Sequence, residues 1–212
     1  MGTRGRRSEA SRVRDRRRHR ELRPRQLSEP PLPATVWYFA YGSNLQRATF
    51  FGRRGIECVR AVPVRVIGWR LVFDKPSIVP SGHATANIVV DAEAEVLGVA
   101  YEIRAEDLEH VELTEGVPFG NYARVEVTVE VLAPTENAPA VAFSLGSDRR
   151  DASLLPSTRY LGLVIEGALE HGLPETWIEW LRGVPTEPER EESRALRAAL
   201  DELMRKRGRA QR

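Results

Sequence analysis

One stretch of the sequence does most to decide the fold: Tyr38-Phe39-Ala40-Tyr41-Gly42-Ser43-Asn44-Leu45. It follows Val36 and Trp37 and begins as an apolar, aromatic segment of the kind found in buried strands. It then breaks at Gly42-Ser43-Asn44, and the segment from Leu45 to Phe51 has a short helical pattern. A strand that ends in such a loop before a helix presents several backbone N–H groups in one place, and these can bind a carboxylate, a phosphate or an oxyanion. The stretch therefore predicts a strand–loop–helix unit and an anion site, but not the ligand.

The remaining segments alternate between patterns typical of strands and of helices. Strands are expected over residues 58–73, 84–91, 95–103, 125–132 and 140–145, with a short turn at 92–94. Helices are expected over 105–113 and 157–171, from Pro174 onward, and from about 187 to 206. Strands that come first and helices that come mostly at the end indicate one α+β domain.

The composition indicates a soluble, cytoplasmic protein with one domain. The chain has 212 residues, of which 42% are hydrophobic and 29% are charged. Its single cysteine, Cys58, excludes an intrachain disulfide and is expected in the core. No apolar run is long enough to span a membrane, and the N-terminus lacks the apolar segment of a signal peptide. We therefore expect no membrane partner.

The positive charge of the chain is concentrated at its N-terminus. Residues 1–26 contain 11 arginines against 3 acidic residues, whereas the rest of the chain contains 21 basic against 27 acidic residues. Because no aromatic residue is interleaved with these arginines, a disordered tail is favoured over a nucleic-acid-binding arm. We expect a tail and proline linker over 1–33, a folded domain over 34–185, and an amphipathic helix with a basic end over 186–212.

Glu115 is the titratable residue with the most distinctive local sequence. It lies in Thr114-Glu115-Gly116-Val117-Pro118-Phe119-Gly120-Asn121-Tyr122, where glycines, a proline and aromatic residues can shield a carboxyl group from water. Desolvation raises the pKa of a carboxyl group toward the range where it both accepts and donates a proton near neutral pH. From the local sequence alone, a surface glutamate at the end of a helix is the simpler interpretation.

No metal or cofactor is expected from the sequence. The four histidines show no ligand spacing, and a single cysteine excludes a zinc-finger pattern. No Walker loop or dinucleotide fingerprint occurs. For Tyr160, on the first long helix, the sequence leaves two roles open: packing in the core, or a hydroxyl that points into a site.

Four landmarks, in this order, resemble the γ-glutamylcyclotransferase (AIG2-like) family and cover about residues 36–182. They are the loop Tyr38 to Leu45; Gly82-His83-Ala84-Thr85-Ala86-Asn87-Ile88 with Glu95-Val96-Leu97-Gly98-Val99-Ala100-Tyr101; Glu115-Gly116-Val117 with Tyr122; and Pro156-Ser157-Thr158-Arg159-Tyr160 before a helix that ends at His171-Gly172-Leu173-Pro174. The resemblance implies a mixed, mostly antiparallel, β-barrel-like sheet with flanking helices and C-terminal helices.

The resemblance also implies an activity. It is that of a cofactor-independent, lyase-type enzyme that cyclises a γ-glutamyl amino acid or amine to 5-oxoproline and releases the free amine. Glu115 would take the proton from the α-ammonium and then protonate the leaving nitrogen. The Gly42-Ser43-Asn44 loop would bind either the substrate carboxylate or the oxyanion of the intermediate. The implied substrate-binding residues are Tyr38, Phe39, Ala40, Tyr41, Gly42, Ser43, Asn44, Leu45, Tyr122 and Tyr160.

Two further features follow from the same resemblance. Residues 76–83 fall where the family has a variable loop near the pocket mouth, and Phe143 stands where some members have a further tyrosine. A specialised γ-glutamylamine cyclotransferase stays open as an alternative, as does a catalytically silent binding module for an acidic metabolite. The intact Glu115 argues against the silent module. The expected partner is a small γ-glutamyl molecule, and the last helix can pack either on the body or on a second subunit of a homodimer.

Overall fold

The computed structural model describes residues 35–78, 82–134, 139–196 and 198–199. The predicted tail over 1–33 lies outside these residues; of the predicted last helix, residues 191–196 are helical and 200–206 also lie outside. The strands are β1 (Thr35–Ala40), β2 (Cys58–Pro76), β3 (Ala84–Arg104), β4 (Ala123–Thr128), β5 (Glu130–Val131) and β6 (Val141–Gly146). The helices are α1 (Ala105–Glu115), α2 (Thr158–Glu170) and α3 (Glu175–Arg182).

The strands form one curled, mixed sheet in the order β4-β6-β1-β3-β2-β5. Strands β1 and β6 pair in parallel, and the other neighbours are antiparallel. The two edge strands, β4 and β5, are consecutive in the chain and are separated only by Val129, so the sheet curls to bring its edges toward each other. With the helices packed around it, this half-barrel confirms the predicted α+β fold with a mixed, mostly antiparallel, barrel-like sheet.

Two local predictions about where strands begin and end were wrong. No turn separates two strands at 92–94, because β3 stays antiparallel to β2 on both sides of it; the pairing only skips residues 91–94 opposite Gly68, a glycine with φ of 83°. The strand predicted over 125–132 is divided, since β4 pairs with β6 whereas β5 pairs with β2. Hydrophobic alternation indicates a buried face but not the strand that lies beside it.

The opening stretch forms a strand and a tight loop, as predicted, but its helical part is unusual. Residues Ser43–Leu45 form a single 3₁₀ turn and Ala48–Arg53 form a π-helical turn, where an ordinary short helix was expected. The end of β1 packs closely on β3 at Gly98, where a Cβ atom would lie 2.2 Å from the carbonyl oxygen of Ala40. Only glycine at this position permits that approach.

The core is centred on β3 and extends to the aromatic residues beside the loop. Residues 96–101 of β3 are all buried, which is typical of a central strand covered on both faces. The Phe50 ring stacks between Tyr38 and Tyr101, at centroid distances of 5.7 and 4.4 Å. This stack holds Tyr38 at the inner end of the loop. Within the described part of the chain, no helix is long and apolar enough to cross a membrane.

Candidate active site

The loop after β1, the end of α1 and the start of α2 meet around a cavity of about 100 Å³. Most of the residues that the sequence predicted for the site line this cavity. They are Tyr38, Tyr41, Gly42, Ser43, Asn44, Glu115, Tyr122 and Tyr160.

Three residues predicted to bind substrate do not line the cavity. Phe39, Ala40 and Leu45 are almost completely buried in the hydrophobic core. The backbone N–H of Leu45 is also used, because it donates to the carbonyl of Gly42 at 2.9 Å. These three side chains therefore pack in the core and support the loop from below. This placement does not favour their predicted contact with substrate, which stays a prediction.

Glu115 is placed by the way in which α1 ends. The next residue, Gly116, has φ of 75°, a left-handed conformation that terminates the helix and that glycine adopts without strain. Asn121 then folds back, because its backbone N–H donates to the carbonyl of Gly116 at 3.0 Å and its Nδ2 donates to the carbonyl of Glu115 at 2.7 Å. The glycine-rich sequence after Glu115 thus fixes the carboxylate at the cavity wall.

One oxygen of Glu115 is held by two donors. Oε1 accepts hydrogen bonds from Asn44 Nδ2 at 3.0 Å and from Arg54 Nη2 at 2.5 Å, and Arg54 Nε donates to Asn44 Oδ1 at 2.7 Å. The other oxygen, Oε2, has no hydrogen-bond partner among the residues that the structure describes. The sequence predicted shielding by apolar neighbours; the structure instead surrounds Glu115 with polar and charged partners, contributed by a segment more than 60 residues away in the chain.

The tyrosines of the cavity stay protonated across the physiological pH range. Burial raises the pKa of Tyr38, Tyr41 and Tyr122 well above the ordinary value, and it raises the pKa of Tyr160 to about 12. They therefore act as hydrogen-bonding groups and not as bases.

The tyrosine hydroxyls fall into two groups by their partners. Tyr41 donates to the carbonyl of Leu145, and Tyr122 donates to the carbonyl of Ala86 at 2.7 Å. The oxygens of Tyr38 and Tyr160 accept, from Asn44 Nδ2 at 2.9 Å and from the N–H of Ala86 at 3.0 Å. Within the described part of the chain, the O–H proton of Tyr38 is thus left for a ligand, whereas the Tyr160 hydroxyl also interacts with Ser43.

Helix α2 sets the position of both the loop and Tyr160. A Cβ atom on Gly167 would lie 2.4 Å from the backbone of Leu45 and Gln46, so the helix packs directly on the chain that follows the loop. A Cβ atom on Gly42 would lie 3.1 Å from the Tyr160 hydroxyl. Two glycines, one on each element, therefore permit the close approach that forms this wall of the cavity.

Lys75, near the end of β2, also lines the cavity and was not predicted from the sequence. Its side chain is almost completely buried, and its Nζ donates to Asn121 Oδ1 at 2.7 Å and to the carbonyl of Pro76 at 2.8 Å. The same Nζ lies 4.4 Å from the centre of the Tyr122 ring. Asn121 consequently connects the ammonium of Lys75 to the backbone of Glu115.

Two further sequence predictions concern the cavity mouth. Ser77 and Ile78, from the predicted variable loop over 76–83, line the cavity; residues 79–81 lie outside the described residues. Phe143 does not line it, and the guanidinium of Arg124 lies 5.1 Å from the centre of its ring. A tyrosine at position 143 would therefore not add a hydroxyl to the cavity, because the Phe143 ring lies against Arg124 instead. No three His, Cys, Asp or Glu side chains of the described residues come together as a metal site.

Comparisons with known proteins point to one family. A family model described as the AIG2-like family matches residues 95–181. The γ-glutamylcyclotransferase of Bos taurus is 30% identical over 140 residues, which cover 65% of this chain and 72% of the bovine protein. The γ-glutamyl cyclotransferase aclK of Aspergillus oryzae is 28% identical over 172 residues, 73% of this chain and 63% of that relative. The chain thus spans slightly less than two thirds of the Aspergillus protein.

Solved structures share the fold. One described as a γ-glutamyl cyclotransferase has a TM-score of 0.64 at 24% identity and covers 76% of this chain and 97% of its own. A human protein described as uncharacterized has a TM-score of 0.64 at 25% identity, and the match covers 77% of this chain and 98% of the human chain. These likenesses confirm the fold predicted from the sequence.

Proposed function

Because this chain belongs to the γ-glutamylcyclotransferase family, we propose that it converts a γ-glutamyl amino acid or amine to 5-oxoproline and releases the free amine. The observation that carries the proposal is the state of the Glu115 carboxylate. Its Oε1 is fixed by Asn44 and Arg54, and its Oε2 has no partner among the described residues at the cavity wall. A carboxylate held in this way is suited to accept a proton from a bound ligand.

The reaction joins two ends of one molecule. The α-amine of the glutamyl residue attacks the γ-carbonyl carbon, so that a new C–N bond closes a five-membered lactam and the original amide C–N bond breaks. Because nucleophile and electrophile belong to the same substrate, the protein has only to hold a folded conformer and move protons. A small cavity walled by rigid elements is suited to that task.

Glu115 supplies both proton transfers in this proposal. Oε2 takes the proton from the α-ammonium, which frees the nitrogen lone pair for attack. The resulting carboxylic acid then delivers a proton to the departing nitrogen, which regenerates the carboxylate. The attacking nitrogen also loses its second proton as the original C–N bond breaks, and the released amine takes it up, so that the products are the neutral lactam and an ammonium ion. The tyrosines do not compete for this role, since their raised pKa values keep them protonated.

Negative charge develops on the γ-carbonyl oxygen during attack and requires donors. The Gly42-Ser43-Asn44 loop and the hydroxyls of Tyr38 and Tyr160 line the same cavity as Glu115. Preorganised donors of this kind stabilise an oxyanion more than they stabilise the uncharged carbonyl. These groups are therefore candidates to bind the oxygen of the reacting carbonyl.

The proposal is tested by Glu115→Gln, which keeps the size of the side chain but removes the base. We expect the kcat for 5-oxoproline release from γ-glutamyl dipeptides to fall by about 10² to 10⁴. Glu109→Gln is the matched control, because Glu109 is exposed on the same helix, and it should keep wild-type activity. Thermal unfolding of both variants checks that the fold is retained.

A panel of γ-glutamyl amino acids and γ-glutamyl alkylamines, assayed for 5-oxoproline, identifies the released amine. Full activity of Glu115→Gln would show that Glu115 is not the base. Absence of 5-oxoproline from every panel member with the wild-type protein would reject the enzymatic proposal altogether.

A further inference from the structure

Lys75 is a buried cation that forms no ion pair with any of the described residues. Its two hydrogen-bond acceptors, Asn121 Oδ1 and the carbonyl of Pro76, are both uncharged. An ammonium group has three N–H donors, and among the described residues the third has no oxygen or nitrogen acceptor. The face of the Tyr122 ring completes its surroundings at 4.4 Å.

Burying a charge with neutral partners alone is unfavourable, and the pKa of Lys75 reflects it. Burial, and after it the positive charge of Arg149, lowers this pKa to about 8, while the charge of Glu115 acts in the opposite direction. Near neutral pH the group is still mainly charged. A charge kept in this position at a cost in stability indicates a requirement for a cation in the cavity.

The choice of lysine is itself unusual in this chain. Of its 32 basic Lys and Arg residues only two are lysines, Lys75 and Lys206, and Lys206 lies outside the described residues. The other 30 of these residues are arginines. A lysine provides a compact point charge on a flexible stem, whereas the planar arginine fork is larger and suits bidentate contacts. The position therefore requires a small ammonium group and not merely a positive charge.

We propose that the Lys75 ammonium binds the α-carboxylate of the glutamyl half of the substrate. The inference rests on the proposed function. The α-ammonium and α-carboxylate of a glutamyl residue are attached to the same carbon, so their receptor must present an anion and a cation close together. Glu115 and Lys75 are such a pair: both line one cavity of about 100 Å³, and Asn121 bridges them.

This assignment decides between the two roles that the sequence left open for the loop. If Lys75 neutralises the α-carboxylate, then the Gly42-Ser43-Asn44 loop is left for the oxyanion of the tetrahedral intermediate. The third N–H of Lys75 gains an acceptor in the complex, and the buried charge gains its counter-ion. Substrate binding thereby removes the unfavourable feature of the free protein.

The first experiment uses ligands that need no turnover. 5-Oxoproline carries the α-carboxylate but no leaving group and no titratable amine, and 5-oxoprolinamide is its uncharged analogue. By calorimetry at pH 7, we expect the wild-type protein to bind the acid at least ten times more tightly than the amide, and Lys75→Met to lose this preference. Arg70→Met, which removes an exposed charge from the same strand, should keep it.

The same pair of ligands gives a test without any variant. We expect the affinity for 5-oxoproline to fall as the pH rises through about 8, where Lys75 loses its proton, and the affinity for the amide to stay constant. The other charged or titratable groups that act on Lys75 or contact it are Arg149, Glu115 and Tyr122. The raised pKa of Tyr122 keeps its hydroxyl protonated in this range, and the amide is the control for every contribution that does not depend on the α-carboxylate. Equal binding of acid and amide by the wild-type protein would overturn the assignment.

A kinetic experiment identifies which carboxylate is recognised. Lys75→Met and Lys75→Gln should raise the KM for γ-glutamylalanine and for γ-glutamylethylamide by the same factor, tenfold or more, with a smaller change in kcat. A rise in KM for γ-glutamylalanine alone would assign Lys75 to the amine half and overturn the proposal, as would a loss confined to kcat. Turnover by the wild-type protein tests the proposed function separately, since acid-over-amide binding does not depend on it.

Discussion

The carboxylate of Glu115 depends on Arg54 for its orientation. Three groups from two elements accept from this guanidinium: Asn44 Oδ1 of the loop, and the Thr114 hydroxyl and Glu115 Oε1 at the end of α1. A planar fork can make all three contacts at once, whereas an ammonium group cannot reproduce that geometry. Arg54 is therefore a positioning residue, because it acts on the substrate only through Glu115 and Asn44.

Arg54→Lys tests this role while the positive charge is kept. We expect the kcat for 5-oxoproline release to fall by about 10- to 100-fold because the base and its Asn44 partner are no longer aligned. The KM should change far less, since Arg54 does not line the cavity. Steady-state kinetics of this variant beside Arg53→Lys, a change at an exposed neighbour, separates the two parameters. A parallel change in kcat and KM would contradict a positioning role.

At the scale of elements, the packing of α2 on the loop determines the shape of the cavity. Ser157 begins this helix, and its side chain accepts from the N–H of Tyr160 at 3.1 Å, which places Tyr160 in the first turn. Gly167, two turns further on, touches the chain just after the loop. The helix thus fixes Tyr160 at one end and supports the loop at the other.

Gly167→Ala and Gly162→Ala form a matched pair on this helix. Alanine is intrinsically the better helix former by about 1 kcal/mol, and at Gly162 no atom lies within 4 Å of the added Cβ, so Gly162→Ala should be stabilising by up to that amount. At Gly167 the added Cβ would meet the backbone of Leu45 and Gln46 at 2.4 Å, so we expect a loss of about 1–3 kcal/mol and reduced activity. Urea unfolding and 5-oxoproline release measure both. Equal stability of the two variants would show that α2 can move away from the loop without cost.

At the scale of the whole molecule, the buried Lys75 couples stability to pH. Its pKa is lowered in the folded state, so between about pH 8 and its ordinary value near 10.5 the unfolded chain holds a proton that the folded protein has lost. Unfolding then takes up a proton, so the free energy of unfolding increases as the pH rises, by at most about 1.4 kcal/mol per pH unit. Below pH 8 both states are protonated and the full penalty of the buried charge is present.

Lys75→Met removes this titration and the penalty together. We expect the variant to be more stable than the wild-type protein at pH 7, and the difference to shrink between pH 8 and 9.5. The raised pKa values of Cys58 and the buried tyrosines act in both proteins and cancel in the comparison. Urea unfolding at several pH values measures the difference. A constant difference across this range would mean that Lys75 titrates normally, as a solvated lysine does.

Those parts of the fold that depend on neighbouring residues in the chain were predictable. The strand and loop from Tyr38 to Asn44, the helix end at Glu115-Gly116 and the helix that starts after Ser157 all follow from local hydrophobic pattern, glycine and capping signals. The continuity of β3 and the division of the 125–132 segment were not predictable from local signals. Contacts between residues far apart in the chain decide which strands pair with each other.

The candidate site likewise has features that the sequence predicted and features that only the tertiary structure revealed. The sequence by itself determined the family landmarks, the position of Glu115 at a helix end and the presence of tyrosines and a glycine loop, since each is a short motif with local causes. Only the tertiary structure decided that Arg54 holds Glu115 and that Phe39, Ala40 and Leu45 face the core. It also decided that Lys75 of β2 lies buried in the same cavity as Glu115. A lone Arg or Lys carries no local signal for its role, because its meaning depends on the groups that the curled sheet brings within a few ångströms of its charge.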